Sequence, residues 1–334
     1  MQTGKPGVLE RAPLGDRTSV RRLVVRRVLQ SVPLLVIISL LMFALLHLVP
    51  GGPLSAYLEN PNVRPEDIAR LRAALGLDRS LGVQYLSWLG AFVRGDWGFS
   101  IADGRPVLDR LVERIPATVE LVGASSLLAL AVALPAGILA AVHRGFDRAS
   151  SVVAIAGISL PVFWFGLVLQ LVFAITLGWF PSSGRASFGS TGFADRVAHL
   201  ILPVAVLAAV QAAAWSRYLR RAMIQVLARP FIRAARTRGI RERDVVLRHA
   251  LPNALAPFVT VVLLDAAMMA SGAVVTESVF AWPGVGSLFT EALVKRDYPV
   301  LMALLLCGAI AVMALNLVAD LAVRAIDPRI REDA

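Results

Sequence analysis

The 334-residue chain has one cysteine, Cys307, two lysines, Lys5 and Lys295, and only 17% charged residues. A single cysteine excludes an intrachain disulfide framework and a thiolate metal cluster, and its place inside an apolar run makes it a buried thiol. The four histidines, His47, His143, His199 and His249, are scattered without HExxH spacing, which argues against a zinc hydrolase site. The lysines are followed by Pro6 and Arg296, so no G-x-x-x-x-G-K-[ST] loop exists and the chain has no Walker A site of its own for ATP. What is abundant is apolar: 57% of residues are hydrophobic and the mean hydropathy is +0.69, far above that of a soluble domain. This composition belongs to an integral membrane protein. The net charge of +11 is almost wholly arginine, and the arginines sit beside hydrophobic segments, which makes them a topology signal and not a nucleic-acid footprint.

A helix crossing the hydrocarbon core needs about 20 mostly apolar residues. Six stretches approach or exceed that length, at 28–49, 118–142, 151–180, 200–215, 254–276 and 300–323, the short fourth extending towards Leu219. As buried helices of a soluble protein they would need far more polar covering surface than the chain supplies. Pro135, Pro161, Pro203 and Pro257 lie in or at the start of these runs, so kinked helices are expected. The first run follows Arg21, Arg22, Arg26 and Arg27 as a secretory signal would, but it is too long for one, and HLVPGGP after it lacks a small-x-small cleavage site. It is read as a retained helix. With the N-terminus inside, the inner segments carry 22 Lys/Arg and the outer ones 12, eight of these in the long first loop where charge counts for little. Both termini are therefore expected on the cytoplasmic side. The organisation is a basic tail (1–27), the first span (28–49), an outer loop (50–117), a core with the other five spans (118–323) and a short tail (324–334).

The outer loop balances eight basic against eight acidic residues. Pro65 starts a short helix with Ile68, Leu71 and Leu75 on one face, and Gly76 ends it. Tyr85, Trp88, Leu89 and Phe92 fall at i, i+3, i+4 and i+7, with Trp97 shortly after. Such an aromatic helix either lies in the membrane interface or packs on the outer ends of the bundle, and the two are compatible. The inner loop 216–253 carries ten arginines against Glu242 and Asp244, a balance that a positive-inside face explains. The rest of that loop needs more. Ala234, Ala235 and Gly239 precede the apolar stretch Val245, Val246, Leu247, and then comes Leu251-Pro252. Glycine permits a sharp turn between two short helices, and Pro252 is expected to end the second.

RAARTRGIRERDVVLRHALPN (233–253) resembles the E-A-A-x3-G-x9-I-x-L-P signature of the membrane subunits of ATP-binding-cassette importers. Ala234 and Ala235 occupy the alanine places, Gly239 the glycine place and Leu251-Pro252 the end, while Arg233 and His249 replace the usual glutamate and isoleucine. These departures look like the peptide and nickel branch of that family. LVPGGP (48–53), QYLSWLGAFVRGDWGFS (84–100), SLPVFWFGLVLQ (159–170), ESVFAWPGVGSLFTEAL (277–293), RDYP (296–299) and DPRIR (327–331) extend the resemblance over about residues 23–331. It implies an all-α, six-helix type I ABC importer permease with a long extracytoplasmic loop after the first helix, in a bacterial or archaeal plasma membrane. The implied partners are a second homologous permease subunit, two cytoplasmic ATPases and an extracytoplasmic solute-binding protein, beside membrane lipid. No cofactor is implied on this chain, ATP and Mg being held by the ATPases.

In that family the turn at the glycine enters a cleft on the ATPase, which assigns Arg233, Ala234, Ala235, Gly239, Leu251 and Pro252 to the coupling segment. A plain helix breaker is the alternative for Gly239. Arg233, Arg236, Arg238, Arg241 and Arg243 face either acidic ATPase residues or anionic lipid. Asp265 lies mid-way along the fifth span, where an ionisable side chain normally faces the bundle interior or a water-filled cavity; it either lines the solute path or bonds a neighbouring helix. Ser271 and Gln211 are weaker path candidates, and Gln170 and Asn316 are further intramembrane polar residues that commonly glue helices. The resemblance puts a gate at the outer end of the fifth span, with Glu277, Trp282, Pro283 and Gly284, although Trp282 also suits an interfacial anchor. The expected function is a non-catalytic importer subunit, for di- or oligopeptides by the branch's commonest class, with nickel, opines or glycosides as alternatives. A secondary transporter with Asp265 as proton relay lacks visible paired halves with interrupted helices. A membrane enzyme would want clustered surface acids, histidines or serines, or a G-x-S-x-G elbow, which are not present.

Overall fold

The computed structural model describes residues 17–48, 54, 64–74, 76–190 and 192–326. Most of the basic N-terminal tail and the motifs LVPGGP and DPRIR lie largely or wholly outside the described residues. The described chain is helical, and its one strand-like feature is an isolated bridge between Phe99 and Pro106. In chain order the helices are α1 (Arg17–Leu48), α2 (Pro65–Ala74), α3 (Leu81–Val93), α4 (Val107–Val142), α5 (Arg144–Ser159) and α6 (Val162–Leu169), which widens into a π-helical stretch, Gln170–Thr176. Then follow α7 (Phe193–Leu227), α8 (Pro230–Thr237), α9 (Glu242–Asp244), a second π-helical stretch (Val245–Ala250), α10 (Leu251–Gly272), α11 (Val274–Val279), α12 (Val285–Val294) and α13 (Tyr298–Ile326).

Five helical runs among the described residues are long and apolar enough to cross a membrane: Arg21–Leu48, Val107–Val142, Phe193–Leu227, Glu242–Ala266 and Tyr298–Ala322. They overlap the first, second, fourth, fifth and sixth expected spans. The remaining expected span, 151–180, is not one helix. Leu160 is extended (φ −81°, ψ 130°) between α5 and α6, because the ring of Pro161 clashes with a helical residue before it. Pro33, Pro135, Pro203 and Pro257 by contrast sit inside continuous helices. Helices also overrun the apolar runs: α4 begins at Val107 and α7 continues to Leu227.

Pro252 does not end a helix. It sits in the first turn of α10, where its missing N–H costs nothing, and the turn before it opens into the π-helical stretch, which takes up the misfit between the proline ring and the preceding carbonyls.

The centre of the fold is the long parallel pair α4 and α7, the most extensive helix contact among the described residues. Small residues, Ala129 and Ala133 on α4 and Ala208 and Ala212 on α7, are buried at this seam and let the backbones approach. Trp215, Leu219, Met223, Ile232, Val245 and Phe258 complete the core towards one end, joining α7 to α8, the second π-helical stretch and α10. That end carries the arginine-rich segment and is called the basic end. At the opposite end a second core of Val107, Leu111, Leu288, Ala292 and Val300 joins the start of α4 to α12 and α13. Helix α3 docks its aromatic face there. Tyr85 and Phe92 are buried, Phe43 of α1 meets Tyr85 edge-on at 5.5 Å, and the Tyr85 hydroxyl pairs with Ser39 Oγ at 2.9 Å. Leu29, Leu41 and Leu45 of α1 stay largely exposed, as expected of a helix that faces lipid or another apolar surface.

Candidate functional site

The residues singled out from the sequence fall at three levels along the bundle. At the basic end, α8 carries Arg233, Ala234 and Ala235 and stops at Thr237. Gly239 has φ +76°, the left-handed region that glycine enters freely, and nothing lies within 4 Å of a Cβ built on it. The glycine is therefore required by backbone conformation, and the turn it makes projects into open space. Ile232 and Ala235 are buried beneath this turn, as are Val245 and Val246, so the segment rides on the α7 and α10 core through its apolar side. Arg236 and Glu242 clasp the turn with two hydrogen bonds of 3.0 and 2.6 Å, whereas Arg233 and Arg238 are exposed. Leu251 is half-buried and Pro252 exposed at the start of α10.

At mid-depth, Asp265 of α10 accepts a 2.7 Å hydrogen bond from Nε1 of the fully buried Trp215 of α7. The helix-to-helix bond weighed for Asp265 is present, and so is a cavity. Asp265, Gln211, Met269 and Val162 help line a space of about 390 Å³ between α6, α7 and α10. Gln211 Oε1 is buried there without a hydrogen-bond partner, an arrangement that costs free energy unless a ligand or water supplies a donor. Two acceptors thus share one cavity. The side chain of Ser271 lies outside the described residues. Gln170 donates to the carbonyls of Ser182 and Val279 at 2.7 and 3.0 Å, tying α6 to the loop before α7 and to α11.

At the far end, Glu277 is completely enclosed. Its Oε1 accepts the Thr118 hydroxyl at 2.6 Å and its Oε2 accepts the Ser287 N–H at 2.9 Å. Thr118 Oγ1 in turn accepts the Val285 N–H at 2.8 Å. The Trp282 indole is also enclosed and donates from Nε1 to the Ala117 carbonyl at 2.8 Å, so it is not an exposed interfacial anchor. Between them the Trp282-Pro283-Gly284 turn reverses the chain, and a Cβ on Gly284 would lie 2.2 Å from Glu277 Oε1. Glutamate, threonine, tryptophan and glycine therefore form one lock that pins the α11–α12 reversal to α4.

A second polar cluster at this end joins residues whose pairing the sequence does not disclose. Arg110 of α4 is buried and donates to Ser100 Oγ at 2.9 Å, to Asp297 Oδ2 at 3.3 Å and to Glu291 Oε1 at 3.2 Å. Asp297, fully enclosed, also accepts the Ser100 hydroxyl at 2.5 Å and the Ile101 N–H at 3.1 Å. The hydrogen bond from Lys295, reinforced by the charges of Arg110 and Arg114, holds the Glu291 carboxyl below the usual carboxylate range. The cluster ties the 98–106 loop to the α12–α13 turn. Within GDWGFS and RDYP the residue types were visible, but the pairing is a product of the fold.

The chain matches two family models, one for the N-terminal membrane component of binding-protein-dependent transport systems over residues 20–122 and one for their inner membrane component over residues 133–332. It is 39% identical over 311 residues to the oligopeptide transport system permease protein AppB of Bacillus subtilis (strain 168), covering 92% of this chain and 98% of that one. It is 37% identical to the dipeptide transport system permease protein DppB of Escherichia coli (strain K12), with the same coverage. The glutathione transport system permease protein GsiC of Escherichia coli O1:K1 / APEC is 38% identical over 310 residues, 92% of this chain and 98% of that one. The fold is similar to solved inward-facing structures of the MetNI methionine ABC transporter, with a TM-score of 0.56, 19% identity and coverage of 66% of this chain and 98% of that one. Two family models matched end to end, with relatives matched over nearly their whole length, place this chain in the family of binding-protein-dependent transport system inner membrane components.

Proposed function

We propose that the chain is the permease subunit of an ATP-driven, binding-protein-dependent importer for di- and oligopeptides. The observation that carries the reading is the turn at Gly239: a left-handed glycine at the tip of a short hairpin, open on its outer side and anchored on its inner side to the α7 and α10 core. A projection of that kind suits insertion into a cleft of another protein. On this reading the partner is one of two cytoplasmic ATPase subunits, which hold ATP and Mg and perform the hydrolysis, so this chain is not itself catalytic. A second homologous permease completes the path, and an extracytoplasmic binding protein delivers the solute. Helices α5 and α6 with the π-helical stretch together make the third of six spans, both termini lie in the cytoplasm, and the end carrying Glu277 faces outward.

Peptide is preferred because the curated relatives AppB and DppB transport oligopeptides and dipeptides by name, and because the mid-depth cavity offers two acceptors, Asp265 and Gln211, to a peptide ammonium or amide N–H. Glu277, Trp282, Pro283 and Gly284 hold the outer gate. The test compares uptake of labelled di- and oligopeptides in cells lacking this chain, in cells with it restored, and in cells carrying Gly239→Trp. Loss in the first and third, with the variant still in the membrane and its solute-stimulated ATPase activity abolished, is the expected result. Unchanged peptide uptake without the chain in a strain lacking redundant systems would overturn the peptide assignment and direct the assay to nickel, opines and glycosides.

A further inference from the structure

A cavity of about 550 Å³ opens at the basic end between the last turn of α4, the first turns of α5 and the outer part of α7. Its charged lining is three arginines, Arg144 and Arg148 of α5 and Arg220 of α7, against one acid, Asp147. That acid is already occupied: Asp147 Oδ2 accepts Arg220 Nη2 at 2.6 Å and its other oxygen pairs with Arg220 Nε. Arg144 and Arg148 are exposed and make no ion pair with any described residue. They flank the start of a 16-residue helix, whose first N–H groups and dipole add to the positive potential. The cavity therefore has a net positive lining of two charges, held rigid by the Arg220–Asp147 pair.

The rim is apolar. Val142 and Ile224 line the opening, and Leu139, Phe146 and Ile224 are each about two-fifths exposed, Leu139 and Ile224 on helices long and apolar enough to cross a membrane and Phe146 in the first turn of α5. A free inorganic anion has no use for that rim, whereas a molecule with an anionic head and hydrocarbon tails matches both parts. We propose that the cavity is a binding site for the phosphate headgroup of an anionic phospholipid, with the acyl chains lying along Leu139, Phe146 and Ile224. Bound there, the lipid bridges α4, α5 and α7 next to the segment that carries Gly239. The site rests on the membrane reading above, though not on which side of the membrane this end faces.

The test is native mass spectrometry of the purified chain, titrated with phosphatidylglycerol or phosphatidylcholine, for wild type and Arg144→Gln/Arg148→Gln. Both arginines are exposed and neither makes an ion pair with a described residue, so the variant is expected to fold, and Arg144→Lys/Arg148→Lys should restore most of the binding. The wild type should bind one phosphatidylglycerol in preference to phosphatidylcholine, and loss of both arginines should weaken that binding about 30-fold. Arg233→Gln/Arg238→Gln, outside the cavity, should leave it unchanged. Equal phosphatidylglycerol binding by wild type and the Arg144/Arg148 variant overturns the proposal. So does displacement of the lipid effect by inorganic phosphate alone, which would assign the site to a free anion, or, when the variant is purified from cells together with its partner subunits, retention of the lipid with loss of a partner, which would assign the arginines to a protein contact. Labelling of Gly145→Cys by a membrane-impermeant maleimide, in a Cys307→Ala background, reads the side separately, so a wrong orientation and an absent lipid site give different results.

Discussion

Replacement of Gly286 by alanine tests the far-end lock at the point where it has least room. A Cβ built there lies 2.5 Å from Val274 Cα, 2.9 Å from Val274 N and 3.0 Å from Glu277 Oε2. Non-bonded carbon atoms rest at about 3.5–4.0 Å, so α11 and α12 must part by about 1 Å. Two of the three obstructing atoms are backbone, and no rotamer change can relieve them. The separation also draws the Ser287 N–H away from Glu277, whose 2.9 Å bond satisfies a carboxylate with no access to water. Overpacking costs about 1–3 kcal/mol, and weakening a hydrogen bond to a buried charged group adds about 1.5–3 kcal/mol, a total of roughly 2.5–6 kcal/mol. For a chain of this size that corresponds to a fall in melting temperature on the order of 4–9 °C. The control is Gly123→Ala on the exposed face of α4, where nothing lies within 4 Å of the new methyl and helix propensity favours alanine by about 1 kcal/mol. The assay is thermal unfolding of both variants purified in one detergent. Equal melting temperatures would refute the close packing of α11 against α12, and the lock with it.

Arg110→Met leaves Asp297 and Glu291 without their buried guanidinium and should destabilise the chain by about 3–5 kcal/mol, with limited proteolysis opening first in the 98–106 loop; unchanged protease resistance there would count against the cluster as the loop's anchor. Glu291, its pKa held down by Lys295, Arg110 and Arg114, lends stability that is fully present above the ordinary glutamate range and is lost only as pH falls below it. A Glu291→Gln variant should therefore melt lower than wild type at pH 7, and the two should converge in strong acid; a gap that widens with acidity would show the sign to be wrong. Asp265→Asn keeps an acceptor for Trp215 and should preserve stability, whereas Asp265→Leu leaves the indole N–H unpaired at a cost of about 1–3 kcal/mol. In uptake assays Asp265→Asn should discriminate against peptides with a free amino terminus relative to N-acetylated ones, and equal losses for both would remove the ammonium contact.

Much of this architecture could be read from composition and spacing, because apolar runs, the proline-first helix at Pro65 and the glycine of the turn at 239 are local properties of the chain. Gly239 is the clearest case: a glycine between two short helices permits a sharp turn, and the turn is there, with Gly239 at φ +76°. Proline was less readable. Pro161 separates α5 from α6, whereas Pro135, Pro203 and Pro257 sit inside continuous helices. Pairings were not readable at all. Asp265 stands out as an intramembrane acid, but its partner Trp215 is 50 positions away, and Arg110 and Asp297 are separated by 187. Only the α7–α10 and α4–α12 contacts bring such residues within reach, and nothing in the local pattern announces them.

The placement of these groups on α4 and α7 bears on how a movement at one end could reach the other. Helix α4 is a single 36-residue unit that carries Arg110 and Thr118 near its start and, at its last turn, the wall of the arginine-lined cavity. Helix α7 is a 35-residue unit that carries Gln211 and Trp215 at mid-depth and Arg220 at the basic end. The two are packed through buried small residues, Ala129 and Ala133 against Ala208 and Ala212, and close-packed interiors transmit strain in place of absorbing it. A displacement of the Gly239 turn, seated on Ile232 and Val245, therefore bears directly on the basic end of α7 and α10. The pair can pass it on as a tilt, which changes the width of the cavity between α6, α7 and α10 and pulls on the Thr118–Glu277 bond at the far end. The break between α5 and α6 has the opposite property. With Leu160 and Pro161 extended between α5 and α6, α6 can follow α11 through Gln170 and Val279 while α5 stays with the basic end. This division predicts that a disulfide between α6 and α7, which lock the cavity wall, abolishes transport, whereas one joining α5 to the last turn of α4 leaves it intact; if both crosslinks are tolerated, α4 and α7 do not carry the motion.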